Sequence, residues 1–321
     1  MPQPRTVIVS LASPDRFARI RRQHDALLGF HGERFDAGTL AHVVSVFPSQ
    51  RSGLDGGAGH ADQTATGRAA ADLAVAAPRA SDAPPSIDLP PTVDTVRVES
   101  PMGRAPLAAA RNAGARRAAD LEANLIVFLD ADCVPGPWLL PRYEAAAVPD
   151  RLLLGPVTYL TEEETAALDD AVSVTPHPHP ARPDPDDGEV IDVAPDAPIN
   201  PQDPYALFWS LSFACRPELY ARLGGFHEAY AGYGAEDTDF GFTARRYGIG
   251  LRWVGGAHAF HQFHPVSSPP IEHVADIVAN AHVFHSRWGR WPMESWLEQF
   301  RAAGLVTYDA DAGWQDVPVD V

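Results

Sequence analysis

Short apolar runs alternate with helical stretches through the first 130 residues. Thr6–Leu11, Ala41–Phe47, Thr92–Val98 and Leu125–Leu129 read as strands, and the last is a five-residue run of the kind buried on both faces of a sheet. Ser13-Pro14-Asp15 opens a predicted helix over Arg16–Leu28 that Gly29 ends, and alanine-rich Pro106–Leu121 is a second helix with proline in its first turn. The order β-α-β-(insertion)-β-α-β predicts an α/β fold with a mixed, mostly parallel central sheet flanked by helices. Right-handed crossovers put the ends of these strands on one edge. Residues 48–91 are rich in Gly, Ala, Ser, Asp and Pro and read as a mobile insertion with a little helix near Arg68–Ala76. Downstream come a helix over Trp138–Ala147, a strand within Leu152–Tyr159, and an acidic, proline-rich loop over 161–204. Tyr205–Cys215 reads as strand, Glu218–Leu223 as a short helix closed by Gly224-Gly225, Ala235–Tyr247 as a helix and Gly250–Val254 as a strand. Apolar residues from Ile271 to Phe284 recur at helical spacing. Residues 1–270 are therefore expected to form the main domain, and 271–321 a helical extension packed on it.

Composition narrows the function. The 321 residues carry a net charge of −17, and all 25 basic residues are arginine. Such acidity argues against nucleic acid as a partner and against docking on anionic lipid by charge alone. The arginine-only, alanine-rich usage suggests a GC-rich bacterial or archaeal genome. Two cysteines, Cys133 and Cys215, make neither a disulfide framework nor a zinc knuckle, and a reducing, cytoplasmic location fits, free or peripheral at a membrane. The N-terminus runs straight into a strand without a secretory leader, and no apolar run approaches the roughly 18 residues of a transmembrane segment.

The chemistry concentrates in two acidic clusters. Asp130-Ala131-Asp132 ends the strand Leu125–Leu129. Residues i and i+2 of extended chain share a face, so the two carboxylates are expected to converge at the sheet edge where α/β folds bind ligands. Two close carboxylates repel, and a divalent cation relieves that cost, which points to a metal–phosphate site; the competing reading is a solvated turn. The second cluster is Glu236-Asp237-Thr238-Asp239, preceded by Gly224-Gly225-Phe226 and by Gly232-Tyr233-Gly234. Acidic residues favour a helix N-terminus through its dipole alone, but the glycine-aromatic loop asks for more. Tyr233 offers a ring for a sugar face. His258, His261 and His264 follow at every third position, and one of them is a plausible third metal ligand. Arg111 and Asn112 lie in the helix before the first cluster, with Arg111 available for a phosphate.

Taken in order, these stretches resemble family 2-type glycosyltransferases of the GT-A (Rossmann-like) fold. The pieces are Thr6–Leu11, Ala110-Arg111-Asn112, Asp130-Ala131-Asp132, Ser212–Phe226, Glu236-Asp237 and Ala259-Phe260-His261-Gln262. Gly225–Phe240 is similar to the C-terminal motif of galactosyl- and N-acetylgalactosaminyltransferases. The resemblance implies that Asp132 and His261 bind Mn2+ or Mg2+. It implies that Asp130 contacts ribose or metal-bound water, and that Arg111, Ser10 and Tyr233 contribute to the nucleotide-sugar donor site. Asp237 would be the catalytic base, and Glu236 would bind acceptor or donor hydroxyls. The implied reaction is inverting transfer of a hexose, from a UDP-linked donor, to a hydroxyl of a saccharide or glycoconjugate acceptor. The Asp-Asp-Gly-Ser that the family often carries after its second strand is replaced here by Val46-Phe47-Pro48-Ser49, leaving Asp15 for a nearby role. Competing functions are a nucleotidyl- or phosphoryl-transfer enzyme on a similar sheet and a non-catalytic nucleotide-sugar-binding module.

Overall fold

The computed structural model describes residues 5–49, 87–100, 103–168, 174–197, 203–265 and 267–317. The expected helix near Arg68–Ala76 lies outside them. In chain order the elements are β1 (Thr6–Ala12), α1 (Phe17–Asp36), β2 (Leu40–Val46), β3 (Val93–Arg97), α2 (Leu107–Asp120), β4 (Leu125–Leu129) and β5 (Cys133–Pro135). Then come α3 (Leu139–Ala146), β6 (Arg151–Leu154), β7 (Val157–Tyr159), α4 (Glu162–Ala166), β8 (Val190–Val193), β9 (Ser212–Cys215) and α5 (Pro217–Leu223). The last are α6 (Glu236–Arg246), β10 (Gly250–Val254), β11 (Ala259–His261), α7 (Val274–Trp288), α8 (Glu294–Ala302), β12 (Val306–Asp309) and β13 (Gly313–Asp316).

Eight strands form the central sheet in the order β3-β2-β1-β4-β9-β6-β10-β8. The β3-β2-β1-β4 part is parallel, as the alternation predicts; β9 runs antiparallel to both its neighbours, and β8 closes the far edge antiparallel to β10. A smaller sheet, β5-β11-β7, sits beside the end of β4. Its register sets His261 opposite Cys133, one residue from Asp132. An aromatic core supports both acidic clusters: Phe128 stacks on Phe213 at 4.4 Å, and Phe226 stacks on Phe240 at 4.3 Å. Each fully buried phenylalanine is worth about 2–3 kcal/mol of burial, so the rings beneath the site are a rigid floor.

The structure revises several boundaries. Helix α1 does not stop at Gly29; it continues to Asp36 with a kink at His31. Gly29 is solvent-facing with open space around its Cα, so it costs helix propensity without breaking the turn. Residues 152–159 are two strands in different sheets. They part at Gly155-Pro156, where a Cβ on Gly155 would meet the Ala257 carbonyl at 2.2 Å. Tyr205–Cys215 is strand only from Ser212, while Tyr205 and Phe208 bury their rings from a turn. The 161–204 loop holds α4, started by a Thr161/Glu164 capping box, and the edge strand β8. The C-terminal extension is not all helical: it ends in the β12-β13 hairpin, with its own core around Ile277, Leu297, Phe300 and Trp314.

Candidate active site

The chain leaves β1 toward β2 and β3, then crosses to β4 on the other side of β1. Order reverses between β1 and β4, and a crevice opens past their carboxyl ends. Into it project the turn after β1, which carries Arg16, and the turn after β4, which carries Asp130 and Asp132.

The two aspartates do not share a face. Strand pairing ends at Leu129, and Cys133 N–H donates to the Asp130 carbonyl at 2.9 Å, closing a turn that sends the side chains apart. Asp130 Oδ1 accepts from Arg111 Nη2 at 3.2 Å. Asp132 Oδ2 faces the opposite group: Arg19 Nη1 at 3.1 Å, Arg16 Nη1, His264 Nε2 at 3.4 Å and His261 Nε2 at 3.9 Å. Burial by itself raises the Asp132 pKa, but the His264 hydrogen bond and the charges of His261 and Arg16 outweigh it and hold the carboxyl well below its usual range. Asp130 goes the other way, pushed up to about 6 by burial against the pull of Arg111.

Asp132, His261 and His264 present ligand atoms that all lie within 4.8 Å of one another. Imidazole nitrogens with a carboxylate suit a first-row divalent ion such as Mn2+ better than Mg2+, which prefers all-oxygen shells. The donor set therefore fits a metal, with His264 as well as His261 among the histidines. His258 stands apart: it is half-buried, its Nδ1 has no partner among the described residues, and the charges it feels are Asp184 and Asp187.

The turn carrying the aspartates is fixed by a buried chain of side chains. Gln23 Nε2 donates to the carbonyls of Asp130 (2.8 Å) and Cys133 (2.7 Å). Its Oε1 accepts from Ser10 Oγ at 2.7 Å, and Ser10 Oγ lies 3.1 Å from His42 Nε2. His42 Nδ1 meets His24 Nδ1 at 3.1 Å, and His24 Nε2 meets Thr92 Oγ1 at 2.7 Å. Proton roles follow in sequence: His42 is protonated on Nε2, His24 on Nδ1, and Thr92 donates. Both rings are then neutral, in keeping with burial driving the His42 pKa down to about 3. The structure thus does not bring Ser10 to the surface of the site; it is wholly buried and acts through Gln23. Asp15 is exposed at the rim and accepts from Ser49 Oγ at 2.8 Å.

Arg111 and Asn112 tie the second cluster to the first. Arg111 is 3% exposed, and its Nη1 donates to Glu236 Oε1 at 3.1 Å while Nη2 holds Asp130. Its guanidinium lies 5.0 Å over the Phe226 ring. These nitrogens are engaged by carboxylates, so Arg111 joins the two motifs instead of facing outward to a phosphate. Asn112 grips the glycine loop: Nδ2 donates to the Phe226 carbonyl at 2.9 Å, and Oδ1 accepts from Phe226 N–H at 2.9 Å and Tyr220 Oη at 2.7 Å. Gly225 is obligatory there, with φ of +72° and a would-be Cβ only 2.4 Å from Asn112 Oδ1.

The three carboxylates that follow have different surroundings. Glu236 is buried on Arg111. Asp239 is fully buried and accepts from Tyr230 Oη, Arg287 and Trp288 Nε1, which pins α6 to α7. Asp237 is half-buried, and its Oδ1 accepts from Thr238 N–H at 2.7 Å. Burial, then the neighbouring Glu236 charge, push its pKa up to about 7, the value of a usable base at neutral pH. Tyr233 stacks on His273 at 4.7 Å; burial and then Asp237 raise its phenol to about 12. A cleft of about 370 Å³ opens beside Thr238, between Trp209 on one wall and Arg290, Trp291, Glu294 and Trp296 of the extension on the other.

Sequence reading alone did not single out Gln23, Arg16 or Arg19, because charged and amide residues on an amphipathic helix look like an ordinary solvated face. The sheet order, with the Asp-X-Asp turn at the end of β4 and helices on the flanks, is that of the GT-A fold. Within that class, residues 196–265 match the family described as the N-terminal domain of galactosyltransferase. A chondroitin synthase of Escherichia coli is 29% identical over 175 residues, which is 50% of this chain and 25% of that protein. Similar solved structures include Staphylococcus aureus TarS 1–349 (TM-score 0.48, 13% identity, 88% of this chain and 65% of that one). Another is the catalytic domain of Drosophila β1,4-galactosyltransferase 7 with xylobiose (TM-score 0.41, 13% identity, 82% of this chain and 71% of that one). The chain thus spans a quarter of the chondroitin synthase it matches. No helix among the described residues is long and apolar enough to cross a membrane.

Proposed function

We propose that the chain transfers a hexose from a nucleotide sugar, UDP-linked, to a hydroxyl of a saccharide or glycoconjugate, with inversion and with a divalent metal. The observation that carries this is the bridge through Arg111. One buried guanidinium binds Asp130 of the strand-end motif and Glu236 of the loop motif, so metal-binding and base-bearing elements form a single site. The galactosyltransferase match and the chondroitin synthase likeness support glycosyl transfer over nucleotidyl transfer, which has no use for a base beside the glycine-aromatic loop.

Asp132, His261 and His264 hold Mn2+ in this reading, and a cation there supplies Lewis-acid stabilisation of the leaving diphosphate. Asp237 takes the proton of the attacking acceptor hydroxyl. Glu236, its charge balanced by Arg111, orients hydroxyls, and the cleft beside Thr238 receives the acceptor rings. One base acting opposite the leaving group gives inversion. The test is calorimetric titration of UDP with and without Mn2+, together with donor turnover in Asp237→Asn. Metal-enhanced UDP binding that survives in Asp237→Asn, with turnover lost, is expected. UDP binding indifferent to metal would remove the metal assignment, and retained turnover would remove Asp237 as base.

A further inference from the structure

Among the described residues, Arg182 is a buried charge without a counterpart. It is 6% exposed, yet Nε, Nη1 and Nη2 are all buried without a hydrogen-bond partner, and no carboxylate among the described residues pairs with it. Its guanidinium lies between two indoles, 4.6 Å from the Trp253 ring centre and 5.3 Å from that of Trp209. Burial brings its pKa down to about 10, and the groups whose charge it feels are Tyr143, Tyr159, Asp237 and Cys133. Both phenols and the thiol are held neutral by burial, which leaves Asp237 as the only anion in that set. Tyr159 in turn packs its ring against His261 at 4.8 Å, and Trp209 walls the cleft beside Thr238. Trp209 also meets His179 at 5.1 Å and His179 meets Tyr159 at 5.9 Å, so a chain of rings runs from Arg182 to His261 on one side and, through Trp209, to the wall of the cleft on the other.

A buried cation with no partner is costly, and indole faces recover only part of that cost. Three free donors in a fixed fork match the two oxygens of a phosphate or a carboxylate. We infer that Arg182 is an anion seat of the active site, taking a phosphate of the nucleotide-sugar donor or the carboxylate of an acidic acceptor sugar. The inference rests on the glycosyltransferase reading and assigns the site a second cationic element beyond the metal. The donor phosphate is favoured because the packed rings of Trp209, His179 and Tyr159 lead from the arginine to His261 of the proposed metal site.

Arg182→Met keeps an unbranched apolar side chain beside the indoles and removes the fork. Four ligands are titrated into wild type and variant with Mn2+ present: UDP, uridine, glucuronate and glucose. For the phosphate source, UDP affinity drops about tenfold to a hundredfold in the variant while uridine is unchanged, the scale of a lost charge-assisted hydrogen bond. For the carboxylate source, UDP is unchanged and the preference for glucuronate over glucose is lost. Urea unfolding supplies a readout that a structural role would move the other way: the variant is expected to unfold at the same or a higher urea concentration, since an unpaired buried charge has gone. All four ligands binding alike in both proteins, or a clear loss of stability in the variant, would overturn the inference. A wild-type chain that binds no UDP with Mn2+ would instead refute the donor reading on which it rests.

Discussion

Replacing Arg111 by methionine tests the bridge most directly. The side chain is 4% exposed and makes two charge-assisted bonds, 3.1 Å to Glu236 and 3.2 Å to Asp130. Methionine keeps an unbranched apolar side chain at this position but leaves Asp130, Glu236 and Asp237 in one pocket without their shared cation. Removing one partner of a buried ion pair costs about 3–5 kcal/mol. The loss must depend on pH, because stranded carboxylates can take up protons. Asp130 already sits at about 6 with Arg111 beside it, against roughly 4 in an unfolded chain. Without Arg111 its folded-state pKa rises further. A carboxyl whose folded pKa is raised destabilises the fold as pH climbs above the unfolded value, and the penalty is absent below it. Arg111→Met should therefore lose about 3–5 kcal/mol relative to wild type at pH 8 and less than half of that at pH 5. Urea unfolding at the two pH values measures it, with the denaturant slope as a check that the transition is the same. A loss equal at both pH values, or below about 1 kcal/mol at pH 8, would refute the claim that Arg111 serves as counter-charge to this cluster.

Other outcomes follow from the same geometry. With burial and Glu236 pushing the Asp237 carboxyl up to about 7, the proposed base is inactive when protonated, so turnover should rise with pH through neutrality, and kcat against pH from 5.5 to 8.5 shows whether that acidic limb exists. Arg16 and Arg19 reach the same Asp132 oxygen as His261 and His264; a metal seated there competes with them, so Arg16→Gln/Arg19→Gln should bind Mn2+ severalfold more tightly by calorimetry, and unchanged affinity would argue for the other oxygen. Gly225→Ala combines a left-handed φ with a contact of 2.4 Å to Asn112, and a loss of about 2 kcal/mol or more in urea unfolding is expected.

The sheet could be read ahead of the structure because β1, β2 and β4 are short apolar runs separated by helices, and that alternation leaves few topologies. The Asp-X-Asp turn and the Glu-Asp pair were legible as motifs, since carboxylates at a strand end and beside a glycine loop are unusual in kind. The partition of roles within them was not. Asp130 and Asp132 separate because one backbone hydrogen bond closes the turn, and no residue pattern announces it. Arg111 reads as a phosphate ligand until its two carboxylate partners are seen, 19 and 125 residues away in sequence. Ser10, at the end of a strand, is a plausible ligand by position, but its hydroxyl is taken by Gln23. Helix α4 was readable from Thr161 and Glu164 and was obscured by the prolines that follow.

Helix α7 reaches back into the loop that precedes Glu236 and Asp237. Asp276 accepts from Tyr233 N–H at 3.1 Å and from Arg104 Nε at 2.7 Å, and Asn280 brackets the loop at Ala231 N–H and the Tyr233 carbonyl. The Asp276 carboxylate fills the space a side chain at Gly232 would need, 2.0 Å from its would-be Cβ. A fragment cut at residue 270 would keep every acidic group of the site and lose the clasp that shapes their loop. For anyone trimming or grafting this chain, positions 232 and 276 are one unit of redesign, to be exchanged together or left alone.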